Sequence, residues 1–427
     1  MPIGFMGIAT SPRGVRLKFV CRQGPGVLMG NPRTAMHQQV ALLSAAQALF
    51  QTVSVLIMTI GALAGSILAQ SPEWATAPIA AMFLGTAVGT VPASAWMSRV
   101  GRRAGFIAGA LLGTLGGLLA AAGMILSSLL LLCLGTFLVG TYQSFAQFYR
   151  FAASEVADEA FRPRAISLVL AGGVVAALAG PALARLGGEL MVPTYTASFF
   201  ILALVSLLGA VLLLGLRIPP VAHTSTATAS TPRPLLDIVR QPTYLVALFG
   251  AASGYGIMIL AMTATPLAMV HHSHGLGETA TVIQLHVLGM FLPSFFTGSL
   301  IARFGVLRVM LAGVLLLAGH VMLSLSDTGF YSFASALVLL GVGWNFLYIG
   351  GTNLLTRTYS TAEKAKAQAA NDLTIFVVGL LASLSAGALH TAIGWQMMNI
   401  WLLPWLLATA VAVLWLDRSG GARVSVS

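Results

Sequence analysis

The sequence predicts an all-α polytopic membrane protein, its twelve transmembrane helices arranged as two six-helix pseudo-symmetric bundles. Three observations predict it. Of the 427 residues 57% are apolar and only 8% charged, with a mean hydropathy of +0.90, whereas a soluble domain carries about 25% charged residues. The apolar residues fall in runs of roughly 20, the length a helix needs to cross a bilayer core. Barrel strands are shorter, and loops at that depth would leave backbone groups unpaired in lipid. Finally, two marks recur 204 residues apart: Arg99 and Gly101 map onto Arg303 and Gly305, and Glu159 and Arg162 onto Glu363 and Lys366.

In chain order, residues 1–39 form an N-terminal tail rich in Gly, Pro and Arg. It has no apolar core with a cleavage site, so a cytoplasmic tail is expected rather than a signal peptide. Met29 and Met36 leave a later start open. The N-terminal bundle occupies 40–216, with spans at 40–69, 75–97, 104–124, 127–149, 164–186 and 195–216. Residues 217–242, rich in Pro, Thr, Ser and Ala, read as a flexible cytoplasmic linker. The C-terminal bundle occupies 243–416, with spans at 243–270, 279–302, 306–326, 330–355, 366–389 and 395–416, and 417–427 is a tail.

Lys and Arg accumulate in cytoplasmic loops. With the N-terminus inside, 21 of the 22 fall on the cytoplasmic side and only Arg185 lies outside. Both termini are therefore expected in the cytoplasm, in a bacterial inner membrane. The net charge of +11 could suggest nucleic acid, but clustering between apolar runs argues against it. Cys21 and Cys133 make neither a disulfide framework nor a metal site. No cofactor is implied.

Between the second and third spans stands S-A-W-M-S-R-V-G-R-R, Ser94 to Arg103; between the eighth and ninth stands G-S-L-I-A-R-F-G, Gly298 to Gly305. These turns resemble the loop signature of the major facilitator superfamily, roughly G-x-x-x-D-R-x-G-R-R. Arg99, Gly101, Arg102 and Arg103 match it in the first half, and Gly298, Arg303 and Gly305 in the second; Ser98 and Ala302 replace its Asp. The resemblance implies two parallel six-helix repeats, alternating access, and a basic turn that gates the cytoplasmic side. Without the Asp, Arg99, Arg102 or Arg103 is expected to pair with Glu155, Asp158 or Glu159. Topogenic charge alone is the plainer role for these arginines, and a solvated interfacial helix the plainer one for Glu155 and Glu159, which share a face. In span five Gly172, Ala176 and Gly180 recur every four residues ahead of Pro181. They resemble the Gly-Pro signature of superfamily antiporters, without the paired glycines expected after the Pro; a close-packing stripe is the alternative.

In this superfamily spans one, four, seven and ten line the central cavity. They offer Gln47 and Gln51; Tyr142, Gln143 and Gln147; Ser253, Tyr255 and Thr263; and Trp344, Asn345, Tyr348 and Asn353. Amides and phenols both donate and accept, and Trp344 adds a stacking face, which suits a neutral or aromatic-bearing solute. An interhelical hydrogen bond is the alternative role of each. For proton coupling, the candidates are Asp372, expected in an ion pair with Arg357, Lys364 or Lys366, and His286; His320 is equally deep, and a satisfied neutral His is the ordinary role of both. The His271, His272, His274 cluster reads as a solvated loop.

No H-E-x-x-H, paired Asp or Ser–Lys arrangement points to an enzyme, no phosphate loop to an ATP-driven pump, and no soluble signalling domain to a receptor. The expectation is a monomeric secondary transporter of a small organic solute, proton-coupled export being favoured on Gly180-Pro181. The alternative is a nutrient importer or uncoupled carrier.

Overall fold

The computed structural model describes residues 32–158, 161–218, 233–360 and 363–419, and every regular element among them is helical. α1 (Pro32–Leu68) begins well before residue 40, the start expected from hydropathy. Pro32 takes a first-turn position, where its missing N–H costs nothing and its fixed φ suits a helix. A short 3-10 turn, Pro72–Thr76, leads into α2 (Ala77–Val100), followed by α3 (Arg102–Ile125), α4 (Leu129–Ala146), α5 (Tyr149–Val156), α6 (Arg162–Gly188) and α7 (Thr196–Leu213). The second half runs α8 (Leu235–Val239), α9 (Pro242–His271), α10 (Leu276–Phe291), α11 (Ser294–Phe304), α12 (Val306–Ser326), α13 (Phe330–Leu355), α14 (Lys364–Ile400) and α15 (Leu402–Arg418).

Twelve crossings result. Ten helical stretches are long and apolar enough to span, and α10 with α11 makes one more, bent by 41°. The 53-residue stretch Lys366–Arg418 holds two of them. At 1.5 Å per residue it is about 80 Å long, far beyond the ~30 Å hydrocarbon core. It turns back at Gly394, where φ is 74° and ψ 172°. Alternating direction then puts Pro32, the Gly101 and Gly305 turns and Arg418 on one face, called here the basic face.

Within the first bundle α1 packs on α6, and α3 and α4 on each other, with α2 behind α4 and α7 behind α3. In the second, α13 is central, touching α9, α10 and α12. Small residues allow the close approach: a Cβ at Gly85 or Gly140 would run into a backbone carbonyl, of Phe137 and Met82 respectively. Between bundles α6 meets α10 and α2 meets α14, two pairings that exchange under the 204-residue offset. Several of these contacts lie toward the face opposite the basic one or midway along the helices. Leu276 is against Gly188, Glu73 and Thr76 against Gly387, and Phe83 against Gly379.

Two local expectations are corrected. The eighth span is not one straight helix: it breaks at Leu292-Pro293, where proline supplies no N–H to continue the ladder. The stretch expected to be a free linker up to 242 is anchored from residue 233 on. Arg233 donates through its backbone N, Nε and Nη2 to the Glu363 carboxylate at 2.8–2.9 Å, and Lys366 Nζ donates to the Arg233 carbonyl at 2.9 Å. Residues 219–232, the tail through 31, Glu159 and the Arg162 side chain lie outside the described set.

Candidate functional site

A chain of aromatic rings crosses the bundle interface. Trp344 and Tyr348, one turn apart on α13, stack with planes 13° apart and centroids 5.0 Å apart. Successive positions on one helix face bring such rings together, and the burial of Gly341 and Gly343 against α10 and α12 fixes how α13 is turned. Tyr255 of α9 lies 6.0 Å from Tyr348, and Phe291 of α10 lies 6.3 Å edge-on to Trp344. Phe376 of α14 and Phe83 of α2, the latter from the other bundle, both meet Tyr255 edge-on. The Trp344 Nε1–H is buried and has no acceptor among the described residues, which costs free energy unless a bound partner takes it.

The predicted polar residues divide. Gln47 and Gln51 are half-buried on α1, between the α6-facing residues Ser44, Ala48 and Thr52 and the α4-facing Phe50. Neither makes a hydrogen bond among the described residues, and nor does the half-buried Gln147 side chain. The Gln143 Oε1 lies 3.2 Å from the Thr86 hydroxyl, which ties α4 to α2.

Other candidates are turned elsewhere. Tyr142 is fully buried inside the first bundle, edge-on to Phe50 at 5.1 Å and packed on Gly113. Asn345 is fully buried too: its Nδ2 donates to the Met290 carbonyl and the Ser294 hydroxyl, both at 2.7 Å, and its Oδ1 accepts from Thr297 at 2.6 Å. Its amide is spent on holding the α10–α11 break together. Ser253 accepts from Trp405 Nε1 at 2.9 Å within the second bundle.

At the basic face Gly101 and Gly305 turn the chain with φ near 89°. Arg102 makes a two-pronged ion pair with Glu155, Nε to Oε2 at 2.7 Å and Nη2 to Oε1 at 2.5 Å, and Arg103 donates to the Leu214 carbonyl at the end of α7. Arg99 and Arg303 close their helices' last turns. Gly180 allows α6 to lie on α1, since a Cβ there would meet Val55 at 2.8 Å, and α6 continues helically through Pro181.

Asp372 departs from expectation. It forms no ion pair among the described residues; its one hydrogen bond comes from the adjacent Asn371 at 3.1 Å. Among the described residues, Arg150 of the other bundle acts on it electrostatically, as it does on Tyr348. Arg150 has a buried Nε without acceptor among the described residues, and its guanidinium lies 5.0 Å from the Phe151 ring. Sequence reasoning counted Arg150 only as loop charge, although Gln143, Gln147 and Arg150 follow at helical spacing.

The two deep histidines differ. His286 Nδ1 meets the Leu337 carbonyl at 2.8 Å while its buried Nε2 has no partner among the described residues, and His320 is held between the Ala336 carbonyl and Asn399. His274, outside the spans, is raised above the ordinary His range by the Thr328 carbonyl and Glu278. No group of three metal-ligating side chains occurs among the described residues.

Comparison with known proteins matches a family description, the Major Facilitator Superfamily, to residues 43–291 and again to 247–425. The chain is 39% identical over 382 residues to the riboflavin transporter RfnT of Brucella anthropi, covering 89% of this chain and 95% of that one. It is 30% identical to the uncharacterized MFS-type transporter YddS of Bacillus subtilis, over 84% of this chain and 86% of that one. Among solved structures it resembles a bacterial homolog of the human lysosomal transporter Spinster, with a TM-score of 0.72 and 16% identity over 93% of this chain and 100% of that one. The nucleoside transporter NupG superposes with a TM-score of 0.66 at 16% identity, over 88% and 99% of the two chains.

Proposed function

The chain belongs to the Major Facilitator Superfamily, and on that footing we propose that it carries riboflavin, or a flat heterocycle of the same build, across the bacterial inner membrane by alternating access. The observation that carries this is the Trp344–Tyr348 stack at the bundle interface. A flavin is a planar, neutral ring with a hydroxylated chain. Aromatic faces bind it by stacking, the buried Trp344 N–H offers a donor to its heteroatoms, and Gln47, Gln51 and Gln147 offer uncharged donors and acceptors. The relative named as a riboflavin transporter, matched over nearly its whole length, supports the same cargo.

Charge distribution supports a cytoplasmic basic face with both termini inside. On this view Arg99, Gly101, Arg102, Arg103, Glu155, Arg303 and Gly305 belong to the gate on that face, where contacts made in one state and broken in the other bias the equilibrium. The protein acts as a monomer. Nutrient uptake is favoured over proton-coupled export. Gly180 has a packing partner that accounts for it; among the described residues the groups suited to proton coupling are Asp372 and His286, whose Nδ1 is bonded to a backbone carbonyl while its buried Nε2 has no partner.

The test is uptake of radiolabelled riboflavin into proteoliposomes, with and without a proton gradient, together with counterflow against unlabelled riboflavin. Saturable counterflow is expected. Riboflavin that binds without exchanging across the bilayer excludes a carrier for it, and accumulation that strictly requires an acid-inside gradient, with protons leaving as riboflavin enters, restores the export mode.

A further inference from the structure

Arg150 and Asp372 are two membrane-side charges that no group among the described residues neutralises by contact. No Arg150 nitrogen comes within 4.0 Å of an Asp372 oxygen, Arg150 has no hydrogen bond among the described residues, and Asp372 has only that from Asn371. Both are half-buried, and charged residues within membrane spans persist where they act on something that passes.

Their placement is specific. Along the fourth crossing Gln143, Gln147 and Arg150 stand at i, i+4 and i+7, advancing toward the basic face. Along α14, Asp372, Phe376 and Gly379 stand at the same spacing, and Phe376 and Gly379 both touch Tyr255. Asp372 therefore lies one turn nearer the basic face than the aromatic contacts, as Tyr348 does relative to Trp344. The two charges come from opposite bundles, and both act electrostatically on Tyr348.

Resting on the flavin-type cargo proposed above, we infer that Arg150 and Asp372 form a two-charge subsite that holds the hydroxylated chain of the cargo while the ring lies on Trp344 and Tyr348. The guanidinium only donates and the carboxylate only accepts. A group set between them must accept from one and donate to the other, which neighbouring hydroxyls of a neutral polyol do together. An anionic tail satisfies Arg150 but is repelled by Asp372, and a cationic tail does the reverse. The subsite thus selects a neutral hydroxylated chain over a phosphorylated one, and because it draws on both bundles, cargo bridges the two halves that must move relative to each other.

The experiment is a fluorescence-quenching titration of the purified full chain in detergent. The probes are riboflavin, lumiflavin (the same ring with methyl in place of the chain) and flavin mononucleotide. Arg150→Gln and Asp372→Asn are each expected to weaken riboflavin binding by about tenfold or more, the scale of a hydrogen bond to a charged group, while leaving lumiflavin affinity within about twofold. Retained lumiflavin binding shows that the variants are folded. Asp372→Asn is further expected to narrow the preference for riboflavin over flavin mononucleotide. Parallel loss of riboflavin and lumiflavin, or unchanged riboflavin affinity in both variants, overturns the subsite. Normal affinities with uptake abolished also overturn it and assign the charges to the transport cycle. Wild-type protein that quenches neither riboflavin nor lumiflavin removes the flavin cargo itself, a failure seen before any variant is made.

Discussion

Gly101 and Gly305, 204 residues apart, hold the same backbone: φ 89° and ψ 157° at one, φ 88° and ψ 149° at the other. Each ends one helix and starts the next, its N–H bonded to the carbonyl four residues back, Met97 and Ile301. A Cβ at either would meet nothing within 4 Å, so glycine is required by conformation and not by crowding. That region of φ and ψ is essentially glycine-only and costs other residues about 1–3 kcal/mol. Gly101→Ala and Gly305→Ala are each expected to destabilise by about that much. Gly298→Ala, equally open but helical, is expected to be neutral or to stabilise by up to about 1 kcal/mol. Thermal unfolding in detergent separates the three, and equal effects at all of them argue against a conformational origin.

The Arg233–Glu363 anchor makes a pH-dependent contribution. Arg233, with the Ser360 N–H, holds the Glu363 carboxyl well below its ordinary value of 4.5. A carboxyl with a lower pKa folded than unfolded stabilises the fold above its unfolded pKa and loses that contribution as pH falls toward the folded value. Glu363→Gln is therefore expected to lower the unfolding temperature at pH 7, with the gap to wild type closing as pH drops below about 4. Melting curves for both proteins over pH 3–8 check this; a gap that stays constant to the lowest pH removes Glu363 ionisation as its source.

The number of crossings and the doubling were legible in the sequence because both depend on run length and spacing alone. The Gly101 and Gly305 turns were legible for the same reason: a glycine at one offset in two basic turns survives any uncertainty in helix phase. The lining of the site depends on phase, and there adjacent residues part company. Tyr142 and Gln143 are neighbours, yet one is sealed inside a bundle and the other reaches α2. Asn345 sits beside Trp344 but serves the Leu292-Pro293 break, which the proline alone hinted at. Arg150 was hidden by its position at a helix end, where a charge reads as topogenic until its electrostatic action on Asp372 of the opposite bundle is considered.

Asn345 is expected to affect stability more than recognition. Removing its amide leaves the Met290 carbonyl, the Ser294 hydroxyl and the Thr297 hydroxyl without their shared partner in a buried site, a loss of about 1–3 kcal/mol. Asn345→Ala should lower the unfolding temperature while the folded fraction binds riboflavin with unchanged affinity. Quenching titrations scaled to the folded fraction check this. A large affinity loss with normal melting would return Asn345 to the cargo site.

Trp344 and Tyr348 make the opposite prediction. Stacking of a flat heterocycle on an aromatic side chain is worth about 1–3 kcal/mol per ring, or roughly 5- to 150-fold in affinity. Trp344→Ala removes a stacking face and the orphaned Nε1–H together, so riboflavin and lumiflavin should both weaken, in contrast to the selective effect expected at Arg150 and Asp372. Trp344→Phe keeps a face and loses only the donor, and its effect should be smaller. Tyr348→Ala should also weaken both ligands, since Tyr348 carries the other half of the stack and bridges to Tyr255 at 6.0 Å. Titrating the two flavins against these three variants resolves ring contacts from chain contacts. If Trp344→Ala and Tyr348→Ala fold normally and bind lumiflavin like wild type, the ring does not lie on this stack, and the aromatic chain across the interface is packing alone.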